Sequence, residues 1–292
     1  MKPRDHIDRY EEGERGARIG IWTNLLLFIL KIFAGVFGRS QAMIADAVHT
    51  AGDSMTSVGV LIGFKIARKP PDTHHPFGHG RAESISAKII SLILILLGLK
   101  VGYDSLKILI SGDIPTPKTV ALVVACFSIV IKEITYRQVV SLSRKIKSTS
   151  LMADAFHHRS DEFSSIAVLT GIAGARLGWA FMDPVAGIVV SAIILKIGIG
   201  SFHAAYDELM DAAPPEELKK EIEKTAGNCE GVVDVKKIMV RKSGIEFFTE
   251  ITVGIDGGKT VREGHIITMK LRRDIFKNIP NVRETIVHVE PV

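Results

Sequence analysis

Two nine-residue segments of this sequence repeat the same ionisable side chains within apolar surroundings. The pattern A-D-A-x-H-x-x-x-D occurs at residues 45–53 and again at residues 153–161, and each matched position recurs 108 residues later. An ionisable side chain at membrane depth costs about 2.5–3.5 kcal/mol even on insertion scales. Three such groups in each segment, six in all at matched spacing, therefore indicate chemistry rather than chance.

The repeated pattern predicts two metal ligands on each of two helices. Residues four apart are one helical turn apart, so His49 and Asp53 share one face, and His157 and Asp161 share another. Two such faces supply two imidazole nitrogens and two carboxylate oxygens. That tetrahedral set suits Zn²⁺ and is tolerable for Co²⁺, Cd²⁺, Fe²⁺ or Mn²⁺. The alternative is a group of polar residues that stabilises the helix bundle by interhelical hydrogen bonds.

Three more polar residues lie near these ligands in the sequence. Asp46 and Asp154 come about one turn before the histidines, where they can orient an imidazole or accept protons. Helix packing and capping are the alternative roles for both. Asn24, in the first apolar stretch, can offer an oxygen ligand or form an interhelical hydrogen bond.

Composition restricts both the class of protein and the type of metal site. The 292 residues are 47% hydrophobic and gather into long apolar runs, which excludes a disordered chain and disfavours an ordinary soluble domain. Only two cysteines are present, so there is neither a disulfide framework nor a CxxC zinc knuckle. Histidines and carboxylates must hold any metal.

Six apolar stretches are long enough to position these ligands in a bilayer, which takes about 20 residues per helix. They are residues 19–38, 42–67, 85–110, 119–136, 151–177 and 182–205. Lys and Arg in the short flanks concentrate on the side of the N-terminus, which predicts that both termini are cytoplasmic. This topology accounts for the net charge of +5, so no nucleic-acid partner is expected.

A different pattern begins after Pro214-Pro215 and predicts a small soluble domain. The predicted elements are a helix at 216–226, strands at 232–241 and 245–255, a helix at 260–277 and a strand at 282–289. The order αββαβ is enough for one sheet with helices on a single face. We expect a cytoplasmic tail at 1–18, a membrane domain at 19–207 and a cytoplasmic domain at 208–292.

Over essentially its whole length the sequence resembles the cation diffusion facilitator family of divalent-metal/proton antiporters. The resemblance is carried by the six spans, the paired ligands on the second and fifth spans, and the αββαβ domain. It implies an α-helical membrane protein with six transmembrane helices and a C-terminal α+β, ferredoxin-like domain. It also implies a homodimer in the lipid bilayer of a cell (inner) membrane.

The same resemblance implies a function for the repeated ligands. His49, Asp53, His157 and Asp161 would form a transport site that exports metal from the cytoplasm by proton antiport. A His-Asp/His-Asp set points to Zn²⁺, with Mn²⁺, Fe²⁺, Co²⁺, Cd²⁺ or Ni²⁺ as alternative substrates. The metal would be transported cargo, and no prosthetic group is expected.

A loop rich in proline and glycine carries a second cluster. Asp72, His75 and His79 match the family's loop metal site in type and spacing, and a simple solvated loop is the alternative. Arg81 and Asp211 match a charge pair that, in the family, ties the membrane part to the cytoplasmic domain.

The last predicted strand carries a third, weaker candidate. His288 and Glu290 alternate onto one face of the strand, and with His265 they match three ligands of a binuclear zinc site of the family. Lys236 and Thr252 occupy positions where that site has histidines, and an ammonium group repels a cation. One weakly bound ion, or none, is expected here.

Two other classes of function compete with transport. A membrane-embedded metalloenzyme would use the same cluster to activate water, but the sequence has neither an HExxH helix nor a GxSxG elbow. A metal sensor would gain nothing from ligands at membrane depth. The sequence therefore favours a carrier over an enzyme.

Overall fold

The computed structural model describes residues 22–67, 69–146, 149–244 and 246–292. For the helical residues 56–57, 60–61, 64, 143–146, 149–158 and 160 it describes the backbone and not the side chain. The expected tail at 1–18 lies outside the described residues. The chain divides into two compact units, the first reaching to Val58 and including Ile90–Gly200, the second combining Gly59–Ile89 with Ser201–Val292.

Six long helices follow one another between residues 22 and 209. They are α1 (Trp22–Gly38), α2 (Gln41–Ala67), α3 (Ala82–Ser111), α4 (Thr119–Ile146), α5 (Thr149–Arg176) and α6 (Met182–Leu209). Each overlaps one of the six predicted apolar stretches, so the prediction of a six-helix membrane domain is confirmed. Helix α4 continues past the predicted end at residue 136, because the charges that begin at Arg137 end the apolar run without breaking the backbone.

Hydropathy and exposure show which surfaces of these helices suit lipid. Among the described residues, α3, residues Thr119–Leu142 of α4, and α6 are long and apolar enough to cross a membrane, and the described part of α1 is a shorter apolar helix. Large apolar side chains such as Phe33, Leu96 and Phe127 point outward with half or more of their area exposed. Water disfavours such a surface, whereas the hydrocarbon of a bilayer matches it.

Small residues let the helices of the first unit approach closely. Ala34 on α1 and Ala42 and Ala45 on α2 are fully buried. A Cβ atom at Gly35 would lie 2.7 Å from the side chain of Ile44, so α1 and α2 touch almost backbone to backbone. Close packing of this kind is what associates helices where no hydrophobic force acts between them.

The C-terminal part of the second unit has the predicted order αββαβ. Its elements are α7 (Glu216–Gly227), β1 (Asp234–Ser243), β2 (Glu246–Ile255), α8 (Val261–Asn278) and β3 (Val282–Pro291). The sheet has the order β1-β2-β3, with β1 antiparallel and β3 parallel to the central strand. The prediction of an α+β domain is confirmed.

Local sequence explains how this domain closes. Helix α8 begins with a capping box, in which Thr260 accepts from the Glu263 amide while the Glu263 carboxylate accepts from the Thr260 amide. Its apolar stripe, including Leu271 and Ile275, packs with Ile222 of α7 onto Ile251 of the sheet. Both helices therefore bury their apolar faces against one core.

We expect Leu271→Ala to destabilise the αββαβ domain by about 2–5 kcal/mol, because Leu271 is fully buried and its removal leaves a cavity. Met269→Ala, on the same helix but half exposed, should cost about 0.5 kcal/mol or less. Hydrogen exchange of the β2 and β3 amides in the full-length protein measures both variants. Equal loss of protection in the two would contradict this packing.

Candidate metal centre

Three of the four residues predicted to form the membrane site come together in the first unit. His49 and Asp53 lie on α2 and Asp161 lies on α5, and one ligand atom from each is within 4.8 Å of the others. His49 is 3% exposed and Asp161 is 6% exposed, while Asp53 is partly buried. The side chain of the fourth residue, His157, lies outside the described ones, although the backbone of α5 passes through it.

The distances within this cluster suit a cation better than a hydrogen bond. His49 Nε2 lies 3.5 Å from Asp161 Oδ1, and it has no hydrogen-bond partner among the described residues. A buried imidazole nitrogen is normally bonded, and none of the described residues bonds this one, so it is available to a ligand. An ion between the nitrogen and the two carboxylates could take one ligand atom from each of the three residues.

A buried set of charged and hydroxyl groups adjoins the cluster, and we call it the lysine network: Lys31, Lys132, Asp46, Thr50 and Ser165. Lys31 Nζ lies 2.7 Å from Asp46 Oδ2 and donates to Thr50 Oγ1 at 3.0 Å. Lys132 Nζ donates to Ser165 Oγ at 3.0 Å, and that hydroxyl lies 3.2 Å from Asp46 Oδ1. The network joins α1, α2, α4 and α5.

The two lysines are not among the site residues predicted from the sequence, although their positions carry a signal. Lys31 and Lys132 stand inside the first and fourth predicted spans, where the cost of a buried charge applies as much as to the carboxylates. Asp46, expected either to orient a histidine or accept protons or to serve helix packing, forms an ion pair with Lys31. The side chain of Asp154 is not described, and Asn24 lies partly buried on α1.

The loop cluster forms within the second unit. One ligand atom each from Asp72, His75 and His79 lies within 4.8 Å of the others. Asp72 Oδ1 accepts from the main-chain amides of His74 at 2.9 Å and His75 at 2.6 Å, while Asp72 Oδ2 lies 3.4 Å from His79 Nε2. Gly78, with φ of +85°, makes the turn that brings His79 back to the carboxylate.

These amides also set the ionisation of Asp72. The hydrogen bond from the His75 amide, with that from His74, holds the pKa of the Asp72 carboxyl below its ordinary value. Because the pKa is lowered, the turn is fully stabilised by this carboxylate at any pH above the ordinary aspartate pKa of about 3.9. That stabilisation is lost as the pH falls through the lowered pKa. At neutral pH the loop therefore presents a carboxylate beside two imidazoles.

The C-terminal candidate is arranged differently. Lys236 Nζ donates to Glu290 Oε2 at 2.9 Å, while His288 Nε2 is 3.9 Å from Glu290 Oε1. The β2 residue in register with Glu290 is Gly254, which has no side chain to stand between Lys236 and β3. His265 is exposed on α8, and it does not join His288 and Glu290 in a three-ligand group among the described residues.

The ion pair fixes the charge state of this candidate. Its hydrogen bond raises the pKa of Lys236 and lowers the pKa of Glu290. Both groups are therefore charged at neutral pH. The Lys236 ammonium is hydrogen-bonded to the Glu290 carboxylate, which a metal would need as a ligand.

The charge pair expected between Arg81 and Asp211 is present within the second unit. Their side chains form a hydrogen-bonded ion pair, and Arg241 Nη1 approaches the same carboxylate at 4.0 Å. Asp211 has a positive φ of 56°, which is tolerated by aspartate better than by most residues. Both members are about 40% exposed, so water screens much of their attraction.

Comparison with known families accounts for both parts of the chain. Residues 17–210 match the cation efflux transmembrane domain, and residues 214–292 match the cation efflux protein cytoplasmic domain. The chain belongs to the cation diffusion facilitator family. It is therefore a multi-pass membrane transporter, and a divalent metal is the cargo it exports.

Several relatives of this cation diffusion facilitator are similar over its full length. The manganese efflux system proteins MneP and MneS of Bacillus subtilis are each 32% identical to it, over 97% and 98% of this chain and 98% and 99% of their own. Metal tolerance protein C1 of Arabidopsis thaliana is 33% identical over 98% of this chain and 65% of its own length.

We expect Asp72→Asn to weaken Zn²⁺ binding at the loop about tenfold or more, since the substitution removes the one negatively charged ligand that attracts the cation to the two imidazoles. His74→Ala is the matched control, because its amide still donates to residue 72 and its ring lies outside the cluster. Zn²⁺ titration in an Asp161→Asn background isolates the loop. Equal binding by the two variants would contradict a metal site here.

We expect Lys236→His to give the facilitator one additional Zn²⁺ per chain, because it removes the ammonium and adds a nitrogen beside His288 and Glu290. Lys237→His, the same change at the next position of the strand, is the control. Metal stoichiometry of the purified full-length protein reports the difference. If both variants bind as much Zn²⁺ as wild type, the ion pair is not what keeps this position free of metal.

Proposed function

We propose that this facilitator exports Zn²⁺ from the cytoplasm in exchange for protons, with His49, Asp53, His157 and Asp161 as the transport site. One observation carries the proposal: three of these residues, from two helices of the membrane domain, bring their ligand atoms within 4.8 Å of one another. Two of the three, His49 and Asp161, are buried. Ionisable groups are costly to bury within a membrane.

The donor set supports zinc. Imidazole nitrogen with carboxylate oxygen in a four-ligand site is a common zinc arrangement, whereas Mn²⁺ prefers carboxylate, carbonyl and water oxygens. Manganese is the second candidate cargo, because the relatives MneP and MneS are named as manganese efflux proteins. The imidazole of His49 within the cluster favours zinc of the two.

Energetics support coupling to protons. Moving a divalent ion outward against 100 mV costs about 4.6 kcal/mol, at about 2.3 kcal/mol per charge, so an uncoupled pathway would admit metal rather than export it. An imidazole binds metal only when it is deprotonated. Protons therefore compete with metal at His49, and a site that opens to each side in turn exchanges one for the other.

We propose the remaining features of this carrier on the same basis. The protein would be a homodimer in the cell (inner) membrane with both termini in the cytoplasm, divided into a tail at 1–18, a membrane domain at 19–207 and a cytoplasmic domain at 208–292. The loop cluster would bind a metal ion, and the C-terminal position would bind one ion weakly or none. The Arg81–Asp211 pair would hold the segment before α3 against the end of α6.

We expect Asp161→Asn and His49→Ala to reduce Zn²⁺-driven proton flux in proteoliposomes to background, because the first removes the negative charge of a ligand and the second removes a ligand nitrogen. Asp113→Asn is the matched control for the carboxylate, since Asp113 is exposed after α3. A pH dye inside the vesicles and size-exclusion elution of each variant separate lost transport from lost folding.

The same vesicles distinguish the two cargoes. Zinc should drive proton flux at lower concentration than manganese in wild type, and His49→Asp should shift the preference toward manganese by replacing nitrogen with oxygen. Wild-type proton flux in Asp161→Asn would refute the transport site. A lower half-saturating concentration for manganese in wild type would instead make manganese the cargo.

A further inference from the structure

Two lysine side chains are buried in the membrane domain beside the ligand cluster. Lys31 is 0% exposed and Lys132 is 4% exposed. A buried ammonium is costly even when it is hydrogen-bonded, and more so within a membrane. The proposed transport function gives these two groups no role so far.

Contacts attach both lysines to the helices that carry the ligands. Lys132 Nζ donates to the main-chain carbonyl oxygen of Asp161 at 3.0 Å and to the Ser165 hydroxyl one turn later. Its charge is thus fixed at the residue whose carboxylate offers a ligand. Lys31 pairs with Asp46, which lies three residues before His49 on α2.

The charge of Lys132 lies close to the position that a bound cation would take. Lys31 and Asp46 form a pair of opposite charges. Lys132 is instead hydrogen-bonded to the main chain of a ligand residue, so an ion among His49, Asp53 and Asp161 would lie near a positive charge as well as near the ligand carboxylates. Without Lys132 that repulsion would be absent, and the ion would be held more tightly.

We propose that Lys132 is a positioning residue that sets the metal affinity of the transport site, by fixing a positive charge beside the ligand carboxylates so that the bound ion can leave. The inference rests on the proposed function. A carrier must release its cargo, and repulsion in a water-poor interior weakens binding far more than the same charge would in water. The Lys31–Asp46 pair holds α1 and α2 together without altering the net charge.

Zn²⁺ affinity of the full-length protein tests this assignment, measured in an Asp72→Asn background to remove the loop site. Lys132→Gln, which keeps a hydrogen-bond donor but loses the charge, should bind Zn²⁺ about tenfold more tightly or more, and should transport it more slowly at saturating metal. Lys132→Arg keeps the charge and should stay within about threefold of wild type.

A charge-conserving double variant separates electrostatics from packing. Lys31→Gln with Asp46→Asn removes one charge of each sign, so its affinity should stay within about threefold of wild type. A purely structural role for the lysine network predicts weaker binding in both this variant and Lys132→Gln. If Lys132→Gln fails to fold, Lys31→Gln alone removes one positive charge and should also tighten binding.

The outcomes distinguish this inference from the function on which it rests. Zn²⁺ binding that is the same in wild type and Asp161→Asn would remove the transport site itself. Binding that depends on Asp161, but is not tightened by Lys132→Gln or by Lys31→Gln, would overturn only the role of the lysine charge.

Discussion

The membrane domain depends on the cost of removing charge from water. Every ionisable side chain buried between its helices needs compensation nearby, because hydrocarbon offers neither solvent nor counter-ions. Asp46 obtains it from Lys31 at 2.7 Å, whereas His49 and Asp161 stop at 3.5 Å from each other. The first pair is in direct contact, whereas in the proposed transport site an ion would lie between the members of the second. The difference separates a permanent contact from a site that can be filled and emptied.

The three candidate metal positions differ in what supplies the positive charge. Between α2 and α5 it would be the cargo of the proposed transport site, in a buried cluster that a carrier must expose to one side at a time. In the loop, Asp72 is about half exposed and its charge is maintained by main-chain amides, so an ion there can exchange with the surrounding water. At β3 the ammonium of Lys236 already occupies Glu290. A carboxylate is thus stabilised by positive charge at all three positions, but the source of that charge differs among them.

Local pattern was enough to predict the helices, the αββαβ order and three residues whose ligand atoms converge, because the repeated spacing of His and Asp lies within single helices. Contacts between distant segments could not be predicted in the same way. Ser165 and Asp46 are 119 residues apart, and Lys236 and Glu290 are 54 apart. The residues around each of these side chains do not indicate which distant residue it contacts. Lys31 and Lys132 could have been identified as unusual from the energetic cost of a charge within a membrane span. Their hydrogen-bond partners could be identified only from the three-dimensional structure.

The central claim is that the residues of the repeated pattern enclose the transported ion. Anomalous scattering at the zinc edge, from crystals of the full-length protein grown with Zn²⁺, measures this directly. The account predicts a peak between His49, Asp53 and Asp161, with metal–ligand distances of about 2.0–2.2 Å. Zinc peaks confined to the loop or the C-terminal domain, with none at this position under saturating metal, would contradict it.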